Sequence, residues 1–255
     1  MRVAVAGATG RTGGEVVAEA RDRGYAVVPL SRDPTGDQRD VAELPSALAD
    51  VDALVDFTVP EATVEHAATA AEAGVPLVVG TTGFDDDGLA ALADAAESIP
   101  VCRASNFAKG VQALERVVRA GVAALPEYDV ELTETHHNGK RDAPSGTAVT
   151  LLDAIDGARA DAATGGDGDG DSPEPLDRTY GREGEHLRAD DEVGVHVRRA
   201  GTVRGEHEVL LAGDDEVLTL THRAESRRVF AAGAVDAAER LADRDPGRYD
   251  FSELL

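Results

Sequence analysis

The sequence predicts an α/β protein in two parts: an N-terminal doubly wound parallel sheet, then a second α+β domain built on an open mixed sheet. Three observations lead there. A glycine turn, Gly7 to Gly13, separates a short apolar segment from an amphipathic stretch. From there to Phe107, apolar strand-like runs alternate with helix-like segments, the pattern of a parallel sheet with crossover helices. After Lys109 the texture changes to period-two runs joined by tight turns.

In order, RVAVAGATGRTGGEVVAEARDRGYAVVPLSRDP reads as strand, glycine turn, helix and strand. VDALVDFTVPEATVEHAATAAEAGVPLVVGTTGF repeats strand, helix, strand, and DDDGLAALADAAESIPVCRASNF adds a helix and a strand. VQALERVVRAGVAAL predicts a helix, and EYDVELTETHH a strand with period-two alternation. PSGTAVTLLDAI restarts a helix near Ser145, with Pro144 just ahead of it. The acidic, glycine-rich stretch 156–175 is expected to be a solvated, mobile loop. It is no calcium loop: Ser172 stands at the turn position that needs glycine, and Arg178 at the position of the bidentate acid. VGVHVRRAGTVRGEHEVLLAGDDEVLTLTHRA predicts several antiparallel strands, and RVFAAGAVDAAERLADR a helix that packs back on the first domain. The division is therefore a dinucleotide-binding domain over 1–107, completed by 224–255, and a substrate-binding and oligomerisation domain over 108–223.

Charge narrows the function. A net charge of -24 argues against binding nucleic acid or an anionic membrane. The acids are spread between apolar periodic segments, which argues against disorder and for life in concentrated salt, where their repulsion is screened. Of 25 basic residues only Lys109 and Lys140 are lysines, which points the same way. The lone cysteine, Cys102, excludes an internal disulfide and a multi-thiolate metal site. No signal peptide precedes MRVAVAG and no apolar run is long enough to span a bilayer, so a cytoplasmic protein is expected.

The chemistry-bearing residues fall into two groups. Gly7, Ala8, Thr9, Gly10, Arg11 and Thr12 form a strand-to-helix turn whose N–H groups suit a pyrophosphate. Arg32, at the end of the second strand and with Arg11 nearby, favours the 2′-phosphate of NADPH, while Asp33 keeps NADH open. Gly80, Thr81 and Thr82 follow one strand, and Ala104, Ser105, Asn106 and Phe107 another, at carboxyl ends where a nicotinamide and its ribose would lie. The second group is ETHHNGKRDAPSGTA. His136, His137 and Lys140 make a positive island ahead of a helix whose start offers N–H groups and the hydroxyls of Ser145 and Thr147, with Gly146 between them, to a carboxylate. Metal ligation fits poorly, because adjacent histidines on a strand face opposite ways and no further Cys or His clusters with them. In a chain that avoids lysine, Lys140 reads as retained for an ammonium that can give up a proton. His66, His186, His196, His207 and His222 are expected to be structural, His196 and His207 being the two left open.

GATGRTG, GTTGF, ASNFAKGV, THHNGKRDAPSGTA, GREG, VGVHVRRAGTVRGEHEV and THRAESRRVFAAGA occur in this order, from about Val3 to about Ala234. Together they resemble the 4-hydroxy-tetrahydrodipicolinate reductase (dihydrodipicolinate reductase) family. The resemblance implies a reductase of the diaminopimelate route to lysine that uses NADPH or NADH. It also implies an N-terminal Rossmann domain and a C-terminal sheet domain that closes over a small dicarboxylate and builds a homotetramer. His136 then corresponds to the general acid and Lys140 to its catalytic partner, with His137, Gly146 and Thr147 as dicarboxylate contacts. Thr12 stands where many relatives carry Met, and Ser31-Arg32 where an acid often precedes Arg, which disfavours NADH. Two other readings compete. A non-catalytic NADP-binding sensor, or a short-chain dehydrogenase relative, shares the glycine turn, but the Tyr-x-x-x-Lys pair is absent: Ser105 and His136 stand four residues before the two lysines. Another two-domain dehydrogenase of amino-acid metabolism need not carry the island.

Overall fold

The computed structural model describes residues 1–164 and 174–255. They form two compact units, Met1–Lys109 with Ser226–Leu255, and Gly110–Glu225.

The first unit opens with β1 (Arg2–Ala6), then α1 (Arg11–Asp22) and β2 (Ala26–Ser31). β1 pairs in parallel with β2 and with β4 (Ala53–Asp56) and is buried from Val3 on, which is why it reads as an unbroken apolar run. Between β2 and β4 lie a two-residue edge strand, β3 (Arg39–Asp40), and a one-turn helix, α2 (Leu44–Ala47), both too short for a periodic signal. α3 (Pro60–Ala73) starts on a proline, whose fixed φ suits a first helical turn, and stops at left-handed Gly74. β5 (Leu77–Val79), α4 (Asp86–Ala96) and β6 (Pro100–Arg103) follow. Asp85 caps α4 by accepting from the Gly88 N–H at 2.9 Å.

The second unit contains α5 (Lys109–Ala124), β7 (Asp129–His136), α6 (Gly146–Thr164), β8 (Asp177–Thr179), β9 (Glu192–Arg199), β10 (Glu206–Ala212) and β11 (Val217–Arg223). Its sheet runs β11-β10-β7-β9-β8 and is mixed. β10 is antiparallel to β7 and β11, but β9 is parallel to β7 and β8, which corrects the expected antiparallel run. The reason is two returns: α6 carries the chain back before β8, and the segment 180–191 carries it back again before β9, so the three strands run the same way. α6 also corrects the expected loop over 156–175. It continues through Thr164, and Asp156, on the helix, pairs with Arg178. Of the rest of the stretch, 165–173 lies outside the described residues.

The chain then returns to the first unit with α7 (Arg228–Leu241) and β12 (Gly247–Tyr249), giving a parallel sheet in the order β12-β6-β5-β4-β1-β2-β3. α7 lies on the side of Val3, Val5 and Val16, and Gly233 lets it close onto the Phe107 carbonyl, where a Cβ would collide. Arg23 ties α1 to α7 through Glu19, Asp236 and Glu239, and Lys109 pairs with Asp236 at 2.5 Å. No described helix is long and apolar enough to cross a membrane.

Candidate active site

In the first unit the β1–α1 turn is held by two hydrogen bonds, Ala8 N–H to Leu30 O at 3.0 Å and Gly10 N–H to Gly7 O at 2.8 Å. Gly7 has φ +80, and a Cβ there would sit 2.6 Å from the Phe57 carbonyl oxygen. A Cβ on Gly13 would run into the Gly7 carbonyl, so the first turn of α1 presses directly on the loop. No side chain caps α1, which leaves its leading N–H groups free for an anion. A cavity of about 380 Å³ opens beside it, lined by Gly7, Thr9, Gly10, Ser31, Arg32 and Asp33 on one side and by Phe57, Thr58 and His66 on the other. Thr9 and Ser31 are joined through their hydroxyls at 3.0 Å. Arg11 and Arg32 are exposed and, among the described residues, pair with no carboxylate. A glycine cradle, an uncapped helix start and unpaired guanidiniums fit a nicotinamide dinucleotide.

The remaining residues expected to meet the dinucleotide divide. Ala8 is buried behind the turn, Thr12 is half-buried, and Thr82 and Ser105 are exposed at strand ends. Gly80 has no room for a Cβ against the Phe57 ring, and half-buried Ala104 packs against the core. Asn106 accepts from the Ala108 N–H at 2.8 Å. Phe107 is buried against Phe57 and Phe251, with ring centroids 6.0 Å and 5.0 Å away. Thr81 turns its hydroxyl inward. It accepts from Thr63 Oγ1 at 2.8 Å within a buried network in which Asp56 takes the Thr58 N–H at 2.8 Å and holds His66 Nδ1 at 2.7 Å. His66, expected to be only structural, thus presents its other edge to the cavity.

In the second unit, β7 points Val130, Leu132, Glu134 and His136 to one buried face. The first two join the core with Val209 and Leu211 of β10. Towards the carboxyl end of β7 the same face becomes polar, because Glu134 is in register with His207 and His136 with Arg199. Glu134 is fully buried and saturated. It accepts from His136 Nδ1, from Arg199 at 3.0 Å and 2.9 Å, and from the Ser145 N–H at 3.1 Å. Burial pushes the Glu134 carboxyl up, but the hydrogen bonds and charges of His136 and Arg199 outweigh it and bring the pKa to about 2. With Nδ1 committed, His136 has Nε2 to offer. A Cβ on Gly205 would stand 3.1 Å from that nitrogen, so glycine keeps the approach open.

His137 follows at the turn, half-buried, and its carbonyl accepts the Lys140 N–H at 3.1 Å. Lys140 holds both oxygens of Asp142 at 2.8 Å. Burial acts to raise the Asp142 carboxyl. Lys140, then the backbone N–H groups of Asp142 itself and Gly146, bring it below its ordinary range. Lys140 and the start of α6 therefore already hold one carboxylate, the protein's own. Ser145 and Thr147 are buried and Gly146 exposed at that helix start. Ser145 Oγ accepts from the Ala148 N–H at 3.2 Å and bonds His207 Nε2 at 3.1 Å. Glu134 and Arg199 were not singled out in the sequence as parts of the site; His207, left open there, lies beside it. Period-two placement two residues before His136 was the available signal for Glu134. His196 lies elsewhere, on Glu131 at 2.6 Å; His186 is exposed.

Two family models match, one described as dihydrodipicolinate reductase, N-terminus, over residues 1–107, and one as dihydrodipicolinate reductase, C-terminus, over 110–255. A 4-hydroxy-tetrahydrodipicolinate reductase of Natronomonas pharaonis is 67% identical over 259 residues, covering 100% of both chains. One of Haloarcula marismortui is 51% identical over 261 residues, covering 100% of this chain and 98% of the relative. Among solved structures, a dipicolinate-bound dihydrodipicolinate reductase from Paenisporosarcina sp. TG-14 superposes with a TM-score of 0.76 at 23% identity, covering 100% of this chain and 99% of that one, a likeness of fold. The chain belongs to the dihydrodipicolinate reductase family, and is a nicotinamide-dinucleotide-dependent oxidoreductase.

Proposed function

We propose that this chain reduces 4-hydroxy-tetrahydrodipicolinate (dihydrodipicolinate) to tetrahydrodipicolinate in the diaminopimelate route to lysine, with NADPH preferred over NADH, as a cytoplasmic homotetramer. The observation that carries the assignment of chemistry is the Glu134–His136 pair beside a helix start and a lysine that together hold a carboxylate. The dinucleotide, when bound, supplies the hydride. The cradle Gly7 to Thr12 would take its pyrophosphate and Arg32 with Arg11 the 2′-phosphate, and at the strand ends Gly80 to Thr82 and Ala104 to Phe107 the exposed Thr82 and Ser105 would meet the nicotinamide end, with the Thr81 hydroxyl and the Phe107 ring turned to the core.

The protein's own groups do the rest. His137, Ser145, Gly146 and Thr147 bind a carboxylate of the cyclic substrate, fixing the ring. The 4-hydroxyl leaves as water to give dihydrodipicolinate; negative charge grows on that ring as it is reduced, and the Lys140 ammonium stabilises it. His136 delivers a proton from Nε2, while Glu134, ionised throughout the working range, holds Nδ1–H and stabilises the imidazolium. His136→Gln removes the proton donor and is expected to lower kcat roughly 100-fold while leaving KM for the dicarboxylate near its wild-type value. A variant with wild-type kcat refutes the assignment of the acid.

A further inference from the structure

Asp142 holds two groups that the reduction needs for its substrate. Both of its carboxylate oxygens lie 2.8 Å from Lys140 Nζ. The N–H of Gly146, the first residue of α6, reaches the same carboxylate. Chemistry fixes the direction of these bonds, since an ammonium and an N–H only donate and a carboxylate only accepts.

Paired in this way, Lys140 can do little for the reaction. Its ammonium meets a full negative charge at contact distance, so little of its field is left for charge that grows on a substrate ring. The two partners differ in freedom: the Lys140 side chain is 21% exposed and that of Asp142 56%. The Asp142 backbone is anchored, because its carbonyl accepts from Arg199 at 2.6 Å while the same guanidinium holds Glu134. Rotation of the Asp142 side chain into solvent therefore frees Lys140 and the Gly146 N–H and leaves the buried Glu134–His136 pair in place.

We propose that Asp142 is a positioning residue that holds Lys140 and the Gly146 N–H until a substrate carboxylate takes its place, so that the Lys140 charge reaches the ring only in the occupied site. Asp142 need not touch the reacting atoms, and no proton passes through it. A partly exposed ion pair with one backbone hydrogen bond is worth a factor of roughly 3 to 10 in an equilibrium, strong enough to hold the free site and weak enough to be displaced. The inference rests on the proposed binding of a substrate carboxylate at the start of α6, and adds the competitor already resident there.

The test uses the full-length protein with saturating NADPH in molar KCl, where charges beyond contact are screened. It measures Kd for pyridine-2,6-dicarboxylate, together with KM and kcat for the substrate. The variants are Asp142→Asn, Lys140→Met, the double Asp142→Asn/Lys140→Met, and Asp153→Asn, which removes an exposed acid elsewhere on α6. Asp142→Asn is expected to tighten Kd and lower KM by the same factor of roughly 3 to 10, with kcat near wild type. Asp142→Ser, also uncharged, is expected to follow it and gives a second reading should either variant fail to fold. Beside Lys140→Met most of the gain is expected to vanish, because it acts through Lys140. Asp153→Asn is expected to bind as wild type does. A residue that merely shaped the turn would give the opposite sign, so weaker or unchanged binding in folded Asp142→Asn overturns the proposal. A gain kept in full beside Lys140→Met, or an equal gain in Asp153→Asn, overturns it too. A wild type that does not bind the dicarboxylate at all removes the carboxylate-binding reading itself.

Discussion

Glu134 joins β7, the start of α6 and His136 through one side chain. It is a fully buried carboxylate whose charge is matched by Arg199, His136 and a backbone N–H. Removing one partner of such a pair leaves the other charge uncompensated, so Glu134→Ala is expected to cost about 3 kcal/mol in denaturant unfolding at neutral pH. The sign of the pH dependence is fixed by the depressed pKa. Its contribution is fully present above the ordinary carboxyl value of 4.5 and is lost as pH falls through that value towards about 2. Wild type and Glu134→Gln should therefore converge in stability over that acid window, as read by unfolding midpoints at a series of pH values. A gap that stays constant down to the lowest pH contradicts the pairing. Lys140 stood out in the sequence because lysine is scarce, and His136 because it sits in a dense motif. Arg199 did not and His207 was only left open, since only strand register brings them beside Glu134 and His136, and register is a long-range property.

Among the elements, the β1–α1 turn is the one most completely encoded locally. Its glycines are needed because the chain crosses within contact of Phe57 and because α1 bears on the Gly7 carbonyl. Gly13→Ala forces that contact open and is expected to destabilise the fold by roughly 1–3 kcal/mol. It should also weaken NADPH binding, measured by calorimetry on folded protein, since the displaced N–H groups no longer converge. Unchanged affinity would place the pyrophosphate elsewhere. The parallel sheet was legible for the same local reason: apolar runs alternate with capped or glycine-stopped helices such as α3 and α4. The direction of β9 was not, because alternation reveals which face a strand buries and says nothing of whether its neighbour runs parallel. The length of α6 was missed where Ala and Asp, tolerable in a helix, gave way gradually to glycine. Thr81 shows the limit of position alone: it lies at a strand end, yet its hydroxyl serves the buried Asp56 network.

At the scale of the whole molecule, a net charge of -24 makes the folded state repel itself, and the paired acids around Arg23, Arg182 and Arg199 offset only part of that. Screening shortens the repulsion to about 3 Å at 1 M salt, so Tm is expected to rise as KCl increases from about 0.1 M to about 2 M. A falling Tm would contradict the salt-adapted reading of the composition. The most direct measurement is oxidation of NADPH by the purified full-length protein in molar KCl, with substrate generated in place from pyruvate and aspartate semialdehyde by the synthase, and NADH run alongside. Rapid oxidation that depends on the synthase, faster with NADPH, is the expected result. Tight NADPH binding without turnover, in a sample shown to be folded, would contradict the assignment of a reductase.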